Sequence, residues 1–321
     1  MRAVVQDAYG SSDVLRIEDV PVPTIKPNEV LIRVKAAGID AGAWHLMTGI
    51  PYLVRLAIGL RKPRARTVGA DVAGTIESLG ANVTGFSVGD EVFGAGRATF
   101  AEFAVARFDR VVKKPANVTF EQAAVTAISG VTALQALRAG GLESGQRVLV
   151  LGASGGVGSF VVQLAKARGA WVTGVGSAAK LDFIRGLGAD EVLDYAATDV
   201  TDGIRTFDLV IDTGGNRPLA QVRRALTPTG TLIIVGGDGG GPILQGLERS
   251  MGAGLLSPFV KQKLAGLVSL VRASDLAELS DLIASGAVVP AVDRVFPLAD
   301  APAAMAYFEQ RKARGKVVIA M

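Results

Sequence analysis

The 321-residue chain contains no cysteine and a single histidine, His45. The missing thiols exclude disulfides, thiolate nucleophiles and every cysteine-ligated metal site. One histidine also excludes the zinc motif that needs two histidines on one helix. Aromatic residues make up only 6% of the chain, and we find no basic–aromatic stripe of the kind that binds single-stranded nucleic acid. We therefore expect no nucleic-acid partner.

Long hydrophobic runs are missing as well. No segment approaches the roughly 18 apolar residues that a transmembrane helix needs, and the first residues carry no apolar signal-peptide core. We expect a cytoplasmic protein without a membrane partner. The charges nearly balance, with 34 basic and 30 acidic residues, which suits a polyanionic small ligand better than a nucleic acid.

The length of the chain and its hydrophobic content of 49% indicate two domains. Residues 1–118 are β-rich, and a helix with Thr119 as its N-cap follows. From residue 147, nearly continuous apolar strands alternate with helices, which is typical of a parallel sheet covered on both faces. We therefore predict an α/β fold with a Rossmann-type, doubly wound parallel sheet in residues 119–286. Residues 287–321 are expected to return to the first domain.

The stretch VLGASGGVGS, residues 150–159, follows the first of these strands and opens the first helix. A dinucleotide site places glycines at n, n+2 and n+5 for the tight turn, the close approach of the pyrophosphate and helix–strand packing. With n at 153 the first glycine is replaced by alanine. The strand before the turn and the helix after it favour a nucleotide site over a tight turn without a ligand. The backbone N–H groups that would hold the pyrophosphate belong to Ser154, Gly155, Gly156, Val157 and Gly158.

Four stretches carry a resemblance to a known family: VGDEVFG, AISGVTALQAL, GASGGVGSFVVQLAKARGA and RGKVVI. They resemble the zinc-free quinone oxidoreductase (zeta-crystallin-like) branch of the medium-chain dehydrogenase/reductase superfamily, over essentially the whole chain. The resemblance implies a GroES-like catalytic domain and a Rossmann domain. It also implies a homodimer and hydride transfer from NADPH to quinones or conjugated carbonyls.

Zinc enzymes of this superfamily hold a catalytic metal through a cysteine after an AGI-type strand end and the histidine of a GHE motif. This chain has Asp40 and Ala70 at those places. A single aspartate without a second ligand does not make a tetrahedral zinc site. We predict no metal, and hence the reduction of an acceptor that is already polarised.

The choice of cofactor depends on the end of the second strand, where NAD enzymes usually place an acid on the ribose 2′-hydroxyl. The sequence there is TGVGSAAK, which has no acid, and Lys180 can meet a 2′-phosphate. Ser177 lies near the same place, and the resemblance adds Tyr195 and Arg311 to the phosphate pocket. Lys180 and Arg311 can each be read as solvated cations, but the missing acid favours NADPH.

The resemblance places Thr132 near the nicotinamide. Val235, Gly236 and Gly237 end a strand at the carboxyl edge of the sheet, where ligands bind, and we expect them to line the nicotinamide. Their plainer interpretations are a threonine bonded to its own helix and an ordinary turn. A proton must also reach the reduced acceptor. His45 and Tyr52, in the loop WHLMTGIPY, are candidate donors, with solvent as the alternative and a structural role as the other interpretation of His45. We expect this loop to cover the nicotinamide.

Asp40 is the fourth candidate for a catalytic role, at a position where the family usually has asparagine. It can accept hydrogen bonds, bind the ribose, or carry a proton if burial favours its neutral form. We predict a zinc-independent, NADPH-dependent oxidoreductase of quinones or α,β-unsaturated carbonyls. The alternatives are an enoyl-thioester reductase on the same scaffold and a non-catalytic NADPH-binding sensor or RNA-binding crystallin-like protein. The basic loop at residues 51–67 either attracts an acidic ligand or is a solvated surface.

Overall fold

The structure is a computed structural model, and it describes residues 1–215, 217–236 and 241–321. Contacts between these residues divide the chain into two compact units. The first unit contains Met1–Val131 and Val271–Met321, and the second contains Thr132–Leu270. The α/β class is confirmed, because one unit is β-rich and the other is built on a parallel sheet.

The strands are, in chain order, β1 (Arg2–Val5), β2 (Arg16–Asp19), β3 (Glu29–Ile39), β4 (Asp71–Leu79), β5 (Glu91–Ala95), β6 (Phe103–Arg107), β7 (Val111–Lys113), β8 (Arg147–Leu151), β9 (Trp171–Gly176), β10 (Glu191–Asp194), β11 (Phe207–Asp212), β12 (Leu226–Ile234), β13 (Lys263–Gly266), β14 (Val292–Pro297) and β15 (Lys316–Ala320). The helices are α1 (Ala41–Thr48), α2 (Arg55–Ile58), α3 (Phe120–Ala124), α4 (Ala127–Gly140), α5 (Gly156–Ala167), α6 (Leu181–Gly186), α7 (Leu219–Val222), α8 (Leu247–Leu256), α9 (Ala273–Ala284) and α10 (Ala301–Glu309). None of the helices formed by the described residues has the length and apolar character of a membrane span.

The second unit is built on six parallel strands in the order β10-β9-β8-β11-β12-β13. The chain moves outward from β8 to β10, then returns to the other side of β8 and continues through β11. The carboxyl ends of β8 and β11 therefore flank the point where the winding direction reverses, which is where such sheets bind ligands. The core of this unit is formed by apolar strand residues such as Leu149, Val210 and Ile234.

The first unit contains a seven-stranded sheet, in which β14-β15-β3-β4-β5-β7 are consecutive and β6 also pairs with β3. The strand β15 lies between β14 and β3. The carboxyl-terminal segment therefore adds two strands to the sheet of the first unit. Ile32, Ile39, Met305 and Ile319 belong to one buried core.

The unit boundaries differ from those drawn on the sequence, after residues 118 and 286. Contacts place α3 on β3 and β4, and α9 on β7. The Asn117 side chain also donates to the carbonyl of Ile283 at 2.8 Å. Both helices therefore belong with the first sheet. The sequence pattern marks where strand–helix alternation begins, and it does not reveal which sheet a helix packs on.

Two details of the helices and strands also differ from the sequence analysis. Thr119 does cap its helix, with a capping box formed with Gln122, but this helix ends at Ala124 and a second one begins at Ala127. The sequence predicts five strands in the parallel sheet, at β8 to β12, and the structure has a sixth, β13. Four residues with a lysine and a glycine at the ends give too weak a pattern to be read as a strand.

Candidate functional site

The turn between β8 and α5 has the backbone that a phosphate-binding turn needs. Gly152 has a φ of +79°, and a Cβ there would lie 2.6 Å from Thr213 Oγ1. A Cβ at Gly158 would collide with the Gly152 carbonyl and lie 2.8 Å from the Cα of Ala153. The glycine of the tight turn is therefore Gly152, one residue before the position assigned on the sequence. This explains why alanine is tolerated at 153.

The first turn of α5 is open to a ligand. Its N-cap is Gly155, and no side chain caps the helix there. Gly156 and Val157 are partly exposed, whereas Ser154 is buried. The first N–H groups of a helix have no partner within the helix, and their partial positive charge favours an anion. The residues assigned to the pyrophosphate on the sequence thus do lie on one turn and one helix end.

Three of the residues assigned to the 2′-phosphate lie at the carboxyl end of β9. Ser177 begins a short 3-10 turn, whose last residue, Lys180, donates its N–H to the Ser177 carbonyl at 2.9 Å. Tyr195 follows β10 and donates its N–H to the Gly176 carbonyl at 3.1 Å. The neighbouring acid, Asp194, accepts a hydrogen bond from an N–H two residues later. That carboxylate therefore stabilises its own turn, and residues 177–181, which directly follow β9, include no acid.

A buried ion pair at the same edge of the sheet was missed on the sequence. Asp212, the last residue of β11, accepts from Arg249 Nη2 at 2.6 Å and from the N–H groups of Gly214 and Gly215 at 3.1 and 2.9 Å. Nε and Nη1 of Arg249 are buried without a hydrogen-bond partner. An acid ending an apolar strand was a visible signal, but nothing in the sequence pointed to Arg249.

The remaining residues assigned to the cofactor are spread over both units. Val235 follows β12 and donates its N–H to the Asp212 carbonyl at 2.9 Å, so Val235 and Gly236 lie at the ligand edge of the parallel sheet. Gly237 lies outside the described residues. Thr132 is a partly buried residue of α4 and the first residue of the second unit. Arg311 belongs to the first unit, just after α10, with a φ of +55°.

In the first unit, Asp40 directly follows β3 and caps α1. Its Oδ1 accepts from the Ala43 N–H at 2.9 Å, whereas its Oδ2 is buried without a hydrogen-bond partner. Gly38 lies two residues earlier, on the same face of the strand. A Cβ at Gly38 would lie 3.2 Å from Asp71 Oδ2. The carboxylate of Asp71 thus lies against this end of β3.

Asp71 is the first residue of β4 and has no exposed surface. Its Oδ2 accepts from Lys316 Nζ at 2.8 Å and its Oδ1 accepts from the Ile128 N–H at 2.7 Å. Burial raises the pKa of Asp71 to about 6, with the negative charge of Asp40 adding to the effect and Lys316 opposing it. The site therefore encloses two carboxylates with one ammonium group.

His45 and Tyr52, the two candidate proton donors, lie in one segment, and neighbouring residues hold both side chains in place. The Nδ1 of His45 lies 2.6 Å from the Ile50 carbonyl. Because a carbonyl only accepts, Nδ1 carries the hydrogen and Nε2 is the nitrogen available for chemistry. The ring of Tyr52 stacks on the guanidinium of Arg55, with Cζ 4.5 Å from the ring centroid. Tyr52 is 45% exposed, so the phenol is open to an acceptor or to water.

Asp40 and Ala70, which occupy the positions of the zinc ligands, do not form a pair of metal ligands. Ala70 offers no ligand atom, and one oxygen of Asp40 is used as a helix cap. The described part of the chain contains no group of three or more histidine, cysteine, aspartate or glutamate side chains that could hold a metal ion.

Comparisons with known proteins match the whole chain. Residues 26–116 match the alcohol dehydrogenase GroES-like domain, and residues 187–319 match the family described as zinc-binding dehydrogenase. The mitochondrial NAD(P)H oxidoreductase RTN4IP1 of Mus musculus is 31% identical over 99% of this chain and 89% of its own length. The 2-methylene-furan-3-one reductase of Solanum lycopersicum is 31% identical over 99% of this chain and 79% of its own length. The structure of the quinone oxidoreductase of Coxiella burnetii matches with a TM-score of 0.86 and 27% identity, over 100% of this chain and 99% of the other.

Proposed function

Because the chain belongs to the quinone oxidoreductase branch of the medium-chain dehydrogenase/reductase superfamily, we propose that it uses NADPH to reduce quinones and α,β-unsaturated carbonyls without zinc. The observation that carries the proposal is the edge of the parallel sheet. There, the glycine turn after β8 would admit a pyrophosphate, and Ser177, Lys180 and Tyr195 follow the ends of β9 and β10, where an NAD enzyme would place an acid.

The residues of the second unit fit a nicotinamide dinucleotide. The pyrophosphate would rest on the N–H groups from Ser154 to Gly158, where a side chain on Gly158 would block the close approach of α5. The 2′-phosphate would meet Lys180 and the hydroxyl groups of Ser177 and Tyr195. The cofactor supplies the hydride when it is bound.

Zinc independence is supported by the chemistry of the side chains. The chain has no cysteine, and its one histidine uses Nδ1 on a carbonyl of its own loop. The carboxylate of Asp71 is already neutralised by Lys316. A divalent cation bound between Asp40 and Asp71 would have to displace that ammonium group.

A conjugated acceptor suits these residues. When an enone takes a hydride at its β-carbon, the electrons of the double bond move towards the carbonyl oxygen and give an enolate, which a proton then completes. Conjugation spreads the negative charge, so a strong electrophile is not required. His45, Tyr52 and water are the possible proton sources, and an unactivated ketone would need a stronger electrophilic partner than these or Asp40. The names of the relatives, a quinone oxidoreductase and a reductase of a methylene ketone, agree with this class.

The first test is turnover by the purified protein. NADPH oxidation should be fast with benzoquinone, naphthoquinone or an enone, slower with NADH, and insensitive to a chelator. The variant Lys180→Ala should raise the KM for NADPH by about 10- to 150-fold, which corresponds to the loss of one charged hydrogen bond, and should leave NADH nearly unchanged. The matched control is Lys261→Ala, an exposed lysine that precedes β13 and so lies at the opposite edge of the parallel sheet. Equal use of both cofactors, or activity restored by zinc after chelation, would refute the assignment.

We also propose that two copies associate. The outer face of α8 exposes Leu247, Met251 and Leu255, one turn apart, with exposed fractions of 43%, 62% and 73%. Helix α8 packs on β13, which is the last strand of the parallel sheet among the described residues. The edge of a sheet can pair with another chain. Sedimentation equilibrium should give a dimer, and Met251→Asp should shift it towards the monomer. A wild-type monomer at micromolar concentration would contradict this proposal.

A further inference from the structure

A second exposed apolar surface lies in the first unit. Leu53, Leu56 and Leu60 expose 47%, 66% and 67% of their surfaces, and Tyr52 exposes 45%. Single exposed apolar side chains are ordinary, but neighbouring ones mark an interaction site. These four residues are named the leucine surface.

Cations border the leucine surface. Arg61 and Lys62 come directly after Leu60 and are exposed, and Arg64 follows two residues later. No aspartate or glutamate occurs between Asp40 and Asp71, so this whole stretch of chain carries positive charge only. A surface that combines leucines with cations is complementary to a partner that is apolar within and anionic outside.

Contacts of Arg55 and Tyr9 hold the segment that carries the leucine surface in place. The guanidinium of Arg55 lies between the rings of Tyr9 and Tyr52, with Cζ 4.5 Å from both ring centroids. Its Nε donates to the Gly49 carbonyl at 2.8 Å, and the Tyr9 hydroxyl donates to the Gly59 carbonyl at 2.6 Å. These contacts engage the Arg55 side chain and the carbonyls of Gly49 and Gly59, and they involve none of the leucines. The leucines are therefore presented to the outside by the fold itself.

We propose that the leucine surface and its bordering cations dock the protein on an anionic lipid bilayer. Leucine side chains would enter the boundary between headgroups and acyl chains, and Arg61, Lys62 and Arg64 would lie among the anionic headgroups. The expectation of no membrane partner came from the lack of a long apolar run. That criterion detects a segment that crosses a bilayer, and it does not detect a surface that rests on one.

The docking also narrows the substrate class, a step that rests on the proposed function. Quinones with long hydrocarbon tails dissolve in bilayers, so a docked reductase would meet them at the lipid surface. Such acceptors, rather than small water-soluble quinones, would be the ones whose turnover depends on the leucine surface.

The test is co-sedimentation of the full-length protein with lipid vesicles. Vesicles of phosphatidylcholine with phosphatidylserine should bind the protein, and rising salt should weaken the binding. The variant Leu56→Ser/Leu60→Ser should weaken it at least tenfold. Arg61→Ser/Lys62→Ser should weaken it by about 25-fold, at roughly fivefold for each cation, and only on anionic vesicles. The matched control is Ile204→Ser, because Ile204 is 85% exposed but follows Asp202 in the second unit.

A turnover assay separates docking from catalysis. The Leu56→Ser/Leu60→Ser variant should reduce benzoquinone at the wild-type rate and should lose rate with a long-tailed quinone held in vesicles. An equal loss with both quinones would overturn the proposal, as would salt-insensitive binding or an equal effect of Ile204→Ser. A changed oligomeric state with unchanged vesicle binding would identify a protein interface instead. If vesicles bind but NADPH reduces no acceptor, docking stands and the proposed function fails.

Discussion

Glu29 and Asp71 are buried carboxylates with opposite acid–base behaviour, and Glu29 begins β3 whereas Asp71, on β4, lies against the other end of β3. At its first residue, Glu29 accepts two hydrogen bonds from Arg97, at 2.8 and 3.1 Å. Burial alone would raise the pKa of Glu29, but the hydrogen bonds from Arg97 and from a backbone N–H outweigh it, and the pKa lies below its usual value. At the other end of the strand, burial prevails over Lys316 and raises the pKa of Asp71 to about 6.

The difference lies in the surroundings of the two cations. The side chain of Arg97 is 57% exposed, so it keeps much of its hydration while it binds both oxygens of Glu29. The side chain of Lys316 is 3% exposed, and it binds one oxygen of Asp71 beside a second carboxylate, Asp40. An ion pair removed from water on both sides does not offset its own desolvation. Asp71, at the end of β3 where both charged groups are buried, is therefore the carboxylate that takes up a proton more easily.

The largest loss of stability is expected when Lys316, the cation beside Asp71, is removed. Lys316→Met removes the cation that opposes the effect of burial on Asp71, so the folded protein at pH 7 must either bury an unpaired carboxylate or bind a proton there. The free energy of unfolding at pH 7 should fall by about 3–5 kcal/mol. The loss should be smaller at pH 5, where Asp71 takes up a proton. Urea denaturation measures both values. Asp71→Asn/Lys316→Met should recover most of the stability, and a double variant as unstable as the single one would contradict this account.

The pH dependence of stability should come next in size. Asp71 binds its proton more tightly in the folded protein, because its pKa rises from 3.8 to about 6. This group therefore makes the folded protein less stable as the pH rises from about 4 to about 6, by up to about 3 kcal/mol. Glu29 has the opposite sign, since its lowered pKa stabilises the fold above pH 4.5 and that contribution is lost as the pH falls.

The measurement for this second prediction is a difference between proteins. The unfolding free energy of the wild type minus that of Asp71→Asn, followed by urea denaturation between about pH 4 and pH 7, should fall with rising pH. The same difference for Glu29→Gln should rise. Two parallel curves would show that the two ends of β3 do not differ.

The helix cap at Asp40 should have a smaller effect. Asp40→Ala removes the oxygen that accepts the Ala43 N–H, and it should cost about 1 kcal/mol, within the usual range for caps. Asp40→Asn keeps an acceptor and should be nearly neutral for stability. Thermal unfolding distinguishes the two. Both variants remove the charge near Asp71, so equal stability of Asp40→Ala and Asp40→Asn would show that the cap contributes nothing measurable.

The smallest loss of stability is expected when Arg97, the hydrated cation beside Glu29, is replaced. Arg97→Met should cost about 1 kcal/mol or less, because an exposed guanidinium contributes little net energy. Raising the salt concentration should reduce the wild-type advantage further, whereas the cost of Lys316→Met should hardly change with salt. A cost at Arg97 equal to that at Lys316 would remove the distinction between hydrated and enclosed pairs.

Features encoded by neighbouring residues were predictable from the sequence. The parallel sheet, the Thr119 cap and the glycine turn after β8 all follow from patterns within about 20 residues. The Asp71–Lys316 pair joins residues 245 positions apart, and no periodicity records such a contact. Arg249 was hidden for the same reason, because an arginine on a short helix has the same signature whether it faces water or Asp212. The leucines of the 51–67 loop were visible, but their exposure depends on Arg55 and Tyr9 packing beneath them.

The position of β15 sets the order in which the protein can be completed. The last four residues of β3, from Ala36 to Ile39, pair with β15, and β15 is synthesised only after the entire second unit. A nascent chain therefore holds this edge of β3 open, and Asp71 without its cation, until residue 320 has left the ribosome. The second unit has no such dependence and can fold as soon as residue 270 emerges. A chain that ends before residue 316 would have a folded second unit and an incomplete sheet in the first unit. The open edge of that sheet would make the chain prone to aggregation and proteolysis.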